Sequence, residues 1–156
     1  MATKYETDFY GWTQEQSEKL RRLLAQQSNI DLDVENILEE IDSLGRSNYH
    51  QLISRFEEIA IHLLKLHYST VLECERLWKN SVRGQRNRIA RLLRESPSLK
   101  SRLQDALDAA YEDALRHFSD EKLIELCMPE HLPGTSPFGL PECLDPEWWP
   151  EMRGRT

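Results

Sequence analysis

The chain has few of the residues that interrupt helices or cross-link chains. Of its 156 residues only three are cysteine, Cys74, Cys127 and Cys143. An odd count argues against a disulfide framework. The one metal-like grouping, Cys127, His131 and Cys143, lacks the close ligand pair that zinc sites usually carry. A cysteine that packs as a small hydrophobe is the favoured reading. There is no run of about eighteen apolar residues, so no membrane-spanning helix is expected. Met1 to Glu6 shows no basic region leading into an apolar run, so no signal peptide is expected. Glycine and proline are scarce from Gly11 to Pro129, where only Gly45, Gly84 and Pro97 occur. No β-type alternation persists between turn signals, which leaves long helices as the reading of that stretch. The last part, with prolines at 129, 133, 137, 141, 146 and 150, cannot hold a long helix.

What is present fits one soluble, cytoplasmic domain: 39% hydrophobic residues, 30% charged residues and a mean hydropathy of −0.65. The net charge of −7 is unevenly spread. Residues 67–96 carry +4, between acidic stretches of −4 over 33–66 and −3 over 97–121. The overall acidity disfavours nonspecific binding to nucleic acid or anionic membrane, because the long-range field repels phosphate.

Apolar periodicity predicts four main helices. The first runs from about 8 to 27 with Phe9, Trp12, Leu20, Leu23 and Leu24 on its apolar face. It is capped either by Asp8 or by a Thr13/Gln16 capping box. The second starts at Asp33, with Leu32 stapled onto Ile37. Its stripe is Val34, Leu38, Ile41, Gly45, Asn48, Leu52, Phe56, Ile59 and Leu63. Gly45 on this stripe reads as a close-contact position, and Asn48 as a polar residue satisfied by a neighbour. A hairpin at 67–70 is expected, since an unbroken helix from 33 to 95 would run about 90 Å. A Thr70/Glu73 capping box then opens the third helix, which buries Trp78, Val82, Gln85, Ile89, Leu92 and Leu93. Ser96 and Pro97 start the fourth, with Leu99, Leu103, Ala106, Leu107, Ala110, Ala114 and Phe118 inward. A short fifth helix near 120–127 and an irregular, docked tail follow. The expected fold is all-α and bundle-like, with residues 1–128 as the bundle and 129–156 as a strap on the same domain.

With these residues in view, the sequence resembles the bacterial domain-of-unknown-function family twenty-nine, mainly cyanobacterial. The resemblance covers nearly the whole chain. It rests on Asp8-Phe9-Tyr10 and Trp12, on Glu39-Glu40-Ile41 with Ser43-Leu44-Gly45-Arg46-Ser47, and on His62-Leu63-Leu64-Lys65. Downstream it rests on Trp78, Gln85-Arg86, Ile89, Ser96-Pro97-Ser98-Leu99 and Ala110-Tyr111. Members often carry a proline after the His-Leu-Leu-Lys segment, where this chain has Ser69-Thr70. The resemblance implies an all-α fold and no activity, cofactor or catalytic residue.

Three constellations bear chemistry. Glu58 and His62 lie at i and i+4, followed by Lys65, at a helix boundary expected to face Arg76, Trp78 and Lys79. A histidine beside a carboxylate can act as a general base or a metal ligand. The same spacing is also an ordinary helix pair, and a catalytic metal needs about three protein ligands. The second constellation is the basic run that includes Arg83, Arg86 and Arg91. It can grip phosphate, or it can complement the acidic neighbouring helices. The third is the aromatic tail with Trp148 and Trp149, which reads as a strap or as a partner-recognition segment. The function expected is a non-enzymatic helical interaction or regulatory module without a cofactor, with a protein partner or a second copy of itself. The alternatives are a small metal-binding protein or enzyme at Glu58/His62, and nucleic-acid binding through the arginine-rich helix.

Overall fold

Helix boundaries in this chain follow from a few polar side chains that take up otherwise orphaned backbone groups. The structure, a computed structural model, describes residues 1–26 and 29–153, apart from the side chain of Leu72. Gln27 and residues 154–156, included in the helix and strap expected above, lie outside the described residues. The elements are α1 (Lys4–Thr7), α2 (Phe9–Gln26), α3 (Val34–Tyr68), α4 (Glu75–Glu95), α5 (Leu103–His117), α6 (Asp120–Glu125) and α7 (Leu140–Leu144). Two 3₁₀ turns, Leu72–Cys74 and Pro97–Arg102, precede α4 and α5. No strand occurs among the described residues, so the fold is all-α as expected. The contacts divide the chain into two compact units.

The first unit comprises Met1–Gln51 and Arg91–Arg102. Asp8 caps α2, its Oδ1 accepting from Gly11 N at 3.3 Å. The face that α2 buries differs from the expected one: Tyr10, Gly11, Thr13 and Ser17 are inside, whereas Phe9 and Trp12 are half-buried. Those two rings stack with centroids 6.0 Å apart, and Tyr5 of α1 meets both edge-on. Small residues lie inside because α2 runs close to α3. A Cβ at Gly45 would sit 2.8 Å from Thr13 Oγ1, so this mid-helix glycine is the close-contact position its place on the stripe implied. Asp33 caps α3 through Asn36 N at 3.3 Å. Leu32, expected to staple onto Ile37, is instead largely exposed. Asn48 Oδ1 is buried without a partner among the described residues, contrary to the expectation that a neighbour satisfies it.

The second unit comprises Leu52–Ala90 and the chain from Leu103 onward. Leu52, Phe56, Ile59 and Leu63 of α3 are fully enclosed, with Trp78, Val82 and Ile89 of α4 and Ala106, Ala110 and Ala114 of α5. The alanines let α5 pack closely. Arg55 reaches Gln85, and Lys65 lies 6.0 Å from the Trp78 ring centre, so α3 and α4 run antiparallel within this unit. The chain reverses after Tyr68, and α4 begins at Glu75 rather than at Thr70. Buried Ser69 holds the turn in place of the capping box: its hydroxyl donates to the Leu126 carbonyl and accepts from Val71 N at 3.1 Å. The tail is less irregular than expected, since α7 forms with Pro141 in its first turn, where a missing N–H costs nothing.

Candidate functional site

The Glu58 and His62 pair forms as the spacing implied, with His62 Nε2 3.4 Å from Glu58 Oε2. The surroundings differ from the expected ones. Lys65, not His62, lies over Trp78. His117 at the end of α5 and Lys122 of α6 complete the cluster, with Lys122 Nζ 3.5 Å from His117 Nε2. Burial pushes His62 below the ordinary histidine value of 6.5, and Lys65 adds to this while Glu58 opposes it. Burial also lowers His117 and Lys65, each reinforced by Lys122. His62 Nδ1 is buried and has no partner among the described residues. The ammonium groups of Lys65 and Lys122, which already oppose charge on the two imidazoles, also oppose a metal cation there. No group of three or more His, Cys, Asp or Glu among the described residues is placed to hold a metal ion. Cys127 and His131 are exposed and Cys143 is buried, its thiol pushed up to about 12 by burial.

Among the described residues, none of the three arginines singled out pairs with an acid of α3 or α5. Arg91 pairs with Glu95 on its own helix at 3.0 Å. Arg83 donates to Asn80. Arg86 is 4% exposed. Its Nε donates to the Cys143 carbonyl at 3.0 Å, and its Nη2 to the carbonyls of Glu142 and Trp148 at 2.8 and 3.1 Å. Trp149 lies within 5.0 Å of the Arg83 and Arg86 guanidinium carbons, with Lys79 slightly farther, a cation–π arrangement. Trp148 packs edge-on against buried Phe138. Tyr111 ties the same segment by donating its hydroxyl to the Pro133 carbonyl at 2.6 Å. Thus the predicted basic and aromatic candidates meet one another. The sequence signal for this was the spacing of Val82, Arg86 and Ile89, which puts Arg86 on the buried stripe.

A surface that sequence reasoning missed lies beside α6. Ser119 caps this helix by accepting from Lys122 N. At its other end Cys127 adopts a left-handed backbone, φ 49°. Met128 N then returns to the Leu123 carbonyl at 2.9 Å, a helix-ending turn that normally uses glycine. The turn sets Met128 beside Leu123 in a cavity of about 550 Å³, lined also by Ile124, Asp120, Glu130 and His131. Ile124 is 78% exposed. A second cavity of about 270 Å³ shares Asp120, Leu123, Glu130 and His131 and extends to Leu115 and Phe118. The sequence reading placed a short helix near 120–127 with Leu123, Ile124 and Leu126 as its apolar residues. It did not foresee the left-handed turn at Cys127, nor that Ile124 is left mostly exposed at the edge of a cavity.

Together these features define an all-α domain with an exposed apolar groove. The family described as a domain of unknown function, DUF29, matches residues 4–149, and the chain belongs to that family. The chain is also similar to an alpha-helical protein of unknown function from Rhodospirillum rubrum, known from its crystal structure. The TM-score is 0.70 at 24% identity, covering 95% of this chain and 93% of that one, a likeness of fold. No curated protein matches the chain. These similarities indicate no specific function. No described helix is long and apolar enough to cross a membrane.

Proposed function

We propose that this chain is a non-enzymatic helical interaction module of the cytoplasm, and that the groove beside α6 is its docking surface. The observation that carries this reading is Ile124, a large apolar side chain left mostly in water on the rim of a preformed cavity. Single exposed apolar residues are common, but one bordering a concave apolar floor of Leu123 and Met128 offers an anchor pocket. The occupant is a partner segment with an apolar side chain flanked by lysine or arginine. The groove's lining includes Asp120 and Glu130, and α6 also exposes Glu121 and Glu125. Complementary charge steers such a segment to its pocket. An exposed free thiol at Cys127 suits a reducing compartment. Residues 129–156 act in this reading as a strap rather than as the recognition segment.

A synthetic lysine–leucine amphipathic peptide tests the reading, with a glutamate–leucine peptide of the same length as control. The basic peptide binds saturably, more weakly as salt rises, and loses affinity for the Ile124→Asp variant. Equal binding of both peptides, or of the wild type and the variant, overturns the docking surface. Self-association that Ile124→Asp abolishes makes the occupant a second copy and overturns the basic-segment assignment. The reading as a metal-binding protein at Glu58 and His62 is disfavoured by the ammonium groups of Lys65 and Lys122.

A further inference from the structure

The first unit contains a cavity of about 300 Å³ whose chemistry differs from that of the α6 groove. Three guanidinium groups line it, one from each of three elements: Arg21 of α2, Arg46 of α3 and Arg102 of the 3₁₀ turn. Asp42 is the one carboxylate among its lining residues. The lining is therefore two charges positive.

Two tyrosines fix the inner arginine. Arg102 Nη1 donates to Tyr10 Oη at 2.9 Å, and its guanidinium carbon lies 4.0 Å from the centre of the Tyr49 ring. The outer arginines are about half exposed and are held by ion pairs. Arg21 Nη2 reaches Asp42 Oδ2 at 2.7 Å, and Arg46 Nη2 reaches Glu39 Oε1 at 2.7 Å. Each of these contacts uses one nitrogen and leaves other N–H donors of the fork to meet a ligand. Gly45 forms part of the lining without a side chain of its own, and a Cβ there would press on Thr13 and Gln14. The arrangement is thus a small polar cradle with one inner cation held between two tyrosines and two half-exposed outer ones. It lies where Tyr10, Gly45 and Arg46, three residues of the motifs quoted above, come together.

We infer that this cavity binds the phosphate group of a small phosphomonoester. Planar guanidinium forks match phosphate oxygens two at a time. A phosphomonoester carries between about 1.5 and 2 negative charges at pH 7, which balances the excess of the lining. A phosphate presents three oxygens to the three guanidinium groups, where a monocarboxylate presents only two. The volume limits the rest of the ligand to a small metabolite. This inference is independent of the α6 groove, which lies in the other unit.

Isothermal calorimetry with inorganic phosphate and glycerol phosphate tests it at constant ionic strength, with acetate and citrate as the other arms. Both phosphates bind saturably to the wild type, and binding weakens below about pH 6 as the dianion takes up a proton. Arg46→Gln, at an exposed pair with Glu39, weakens binding about tenfold or more, as expected for losing a charge-assisted contact. Arg91→Gln, outside the lining, leaves it unchanged. Absence of saturable phosphate binding overturns the inference, as does equal affinity in the wild type and Arg46→Gln. Binding of citrate in preference to phosphate overturns the assignment of ligand class. Thermal unfolding of each variant confirms that it remains folded, so a lost signal reads as lost binding.

Discussion

Asp8 and Ser98, ninety positions apart, share one hydrogen-bonded node: Asp8 Oδ1 accepts from both the backbone N–H and the hydroxyl of Ser98, at 3.2 and 2.8 Å. The same oxygen caps α2 through Gly11 N. Ser96 reciprocates, its hydroxyl accepting from Tyr10 N at 3.1 Å. Two helical starts therefore cap each other. Asp8→Ala removes acceptors from both and costs about 1–3 kcal/mol, roughly one to two ordinary caps, in urea unfolding. Asp8→Asn keeps an acceptor oxygen and costs less. Gly11→Ala also destabilises, because its Cβ overlaps the Asp8 carboxylate.

Two helix-interior glycines give opposite results on replacement by alanine. Gly84→Ala in α4 meets open space and gains about 0.5–1 kcal/mol from helix propensity. Gly45→Ala would gain the same in isolation, but its Cβ strikes Thr13 Oγ1, whose β-branched side chain is buried and bonded to the Tyr10 carbonyl. Thermal unfolding of the pair shows Gly84→Ala raised and Gly45→Ala lowered.

Arg86 holds the tail through three carbonyls that no other side chain among the described residues satisfies. Arg86→Ala leaves them without this donor, that of Cys143 in a buried place and the other two in part-buried ones, and costs about 2–4 kcal/mol. Limited proteolysis of this variant cuts sooner within residues 129–150. Arg86→Lys does not restore stability, because an ammonium group cannot span the three acceptors with a planar fork.

Acid weakens the second unit. His62 and His117 are both held below the ordinary value of 6.5 when folded, chiefly by burial. As pH falls below 6.5, the unfolded chain takes up protons that the folded one resists, so stability is full above that pH and declines beneath it. Glu58 works against the effect at both residues, while Lys65 strengthens it. Urea midpoints at pH 7.5 and 5.5 register the loss, and His62→Gln flattens the dependence.

Much of the architecture was legible because it rests on local pattern. The stripe from Val34 to Leu63 and the alanine face of α5 follow from spacings of three and four, the Asp33 cap from a capping residue before that stripe, and the break after Tyr68 from the length an unbroken helix would reach. The face of α2 was not legible, since its apolar residues Phe9 and Trp12 pack on Tyr5 while small and polar residues go inside. The sites were less legible still. Arg86 read as a group for phosphate or for acidic neighbouring helices because charge outweighed its position on the stripe, and the carbonyls that hold it lie more than fifty positions away. Arg102, Tyr10 and Tyr49 likewise converge only through tertiary structure. Ile124 showed as apolar in sequence, but nothing local showed that it would be left 78% exposed beside a cavity.

Methyl NMR of Ile124, Leu123 and Met128 during titration with the basic lysine–leucine peptide tests the docking surface most directly. The account predicts saturable shifts at these three methyl-bearing residues, with the enclosed methyls of Leu52 and Leu63 unmoved and the shifts absent in Ile124→Asp. Saturable shifts elsewhere with these three silent, or no shifts at all, would contradict it.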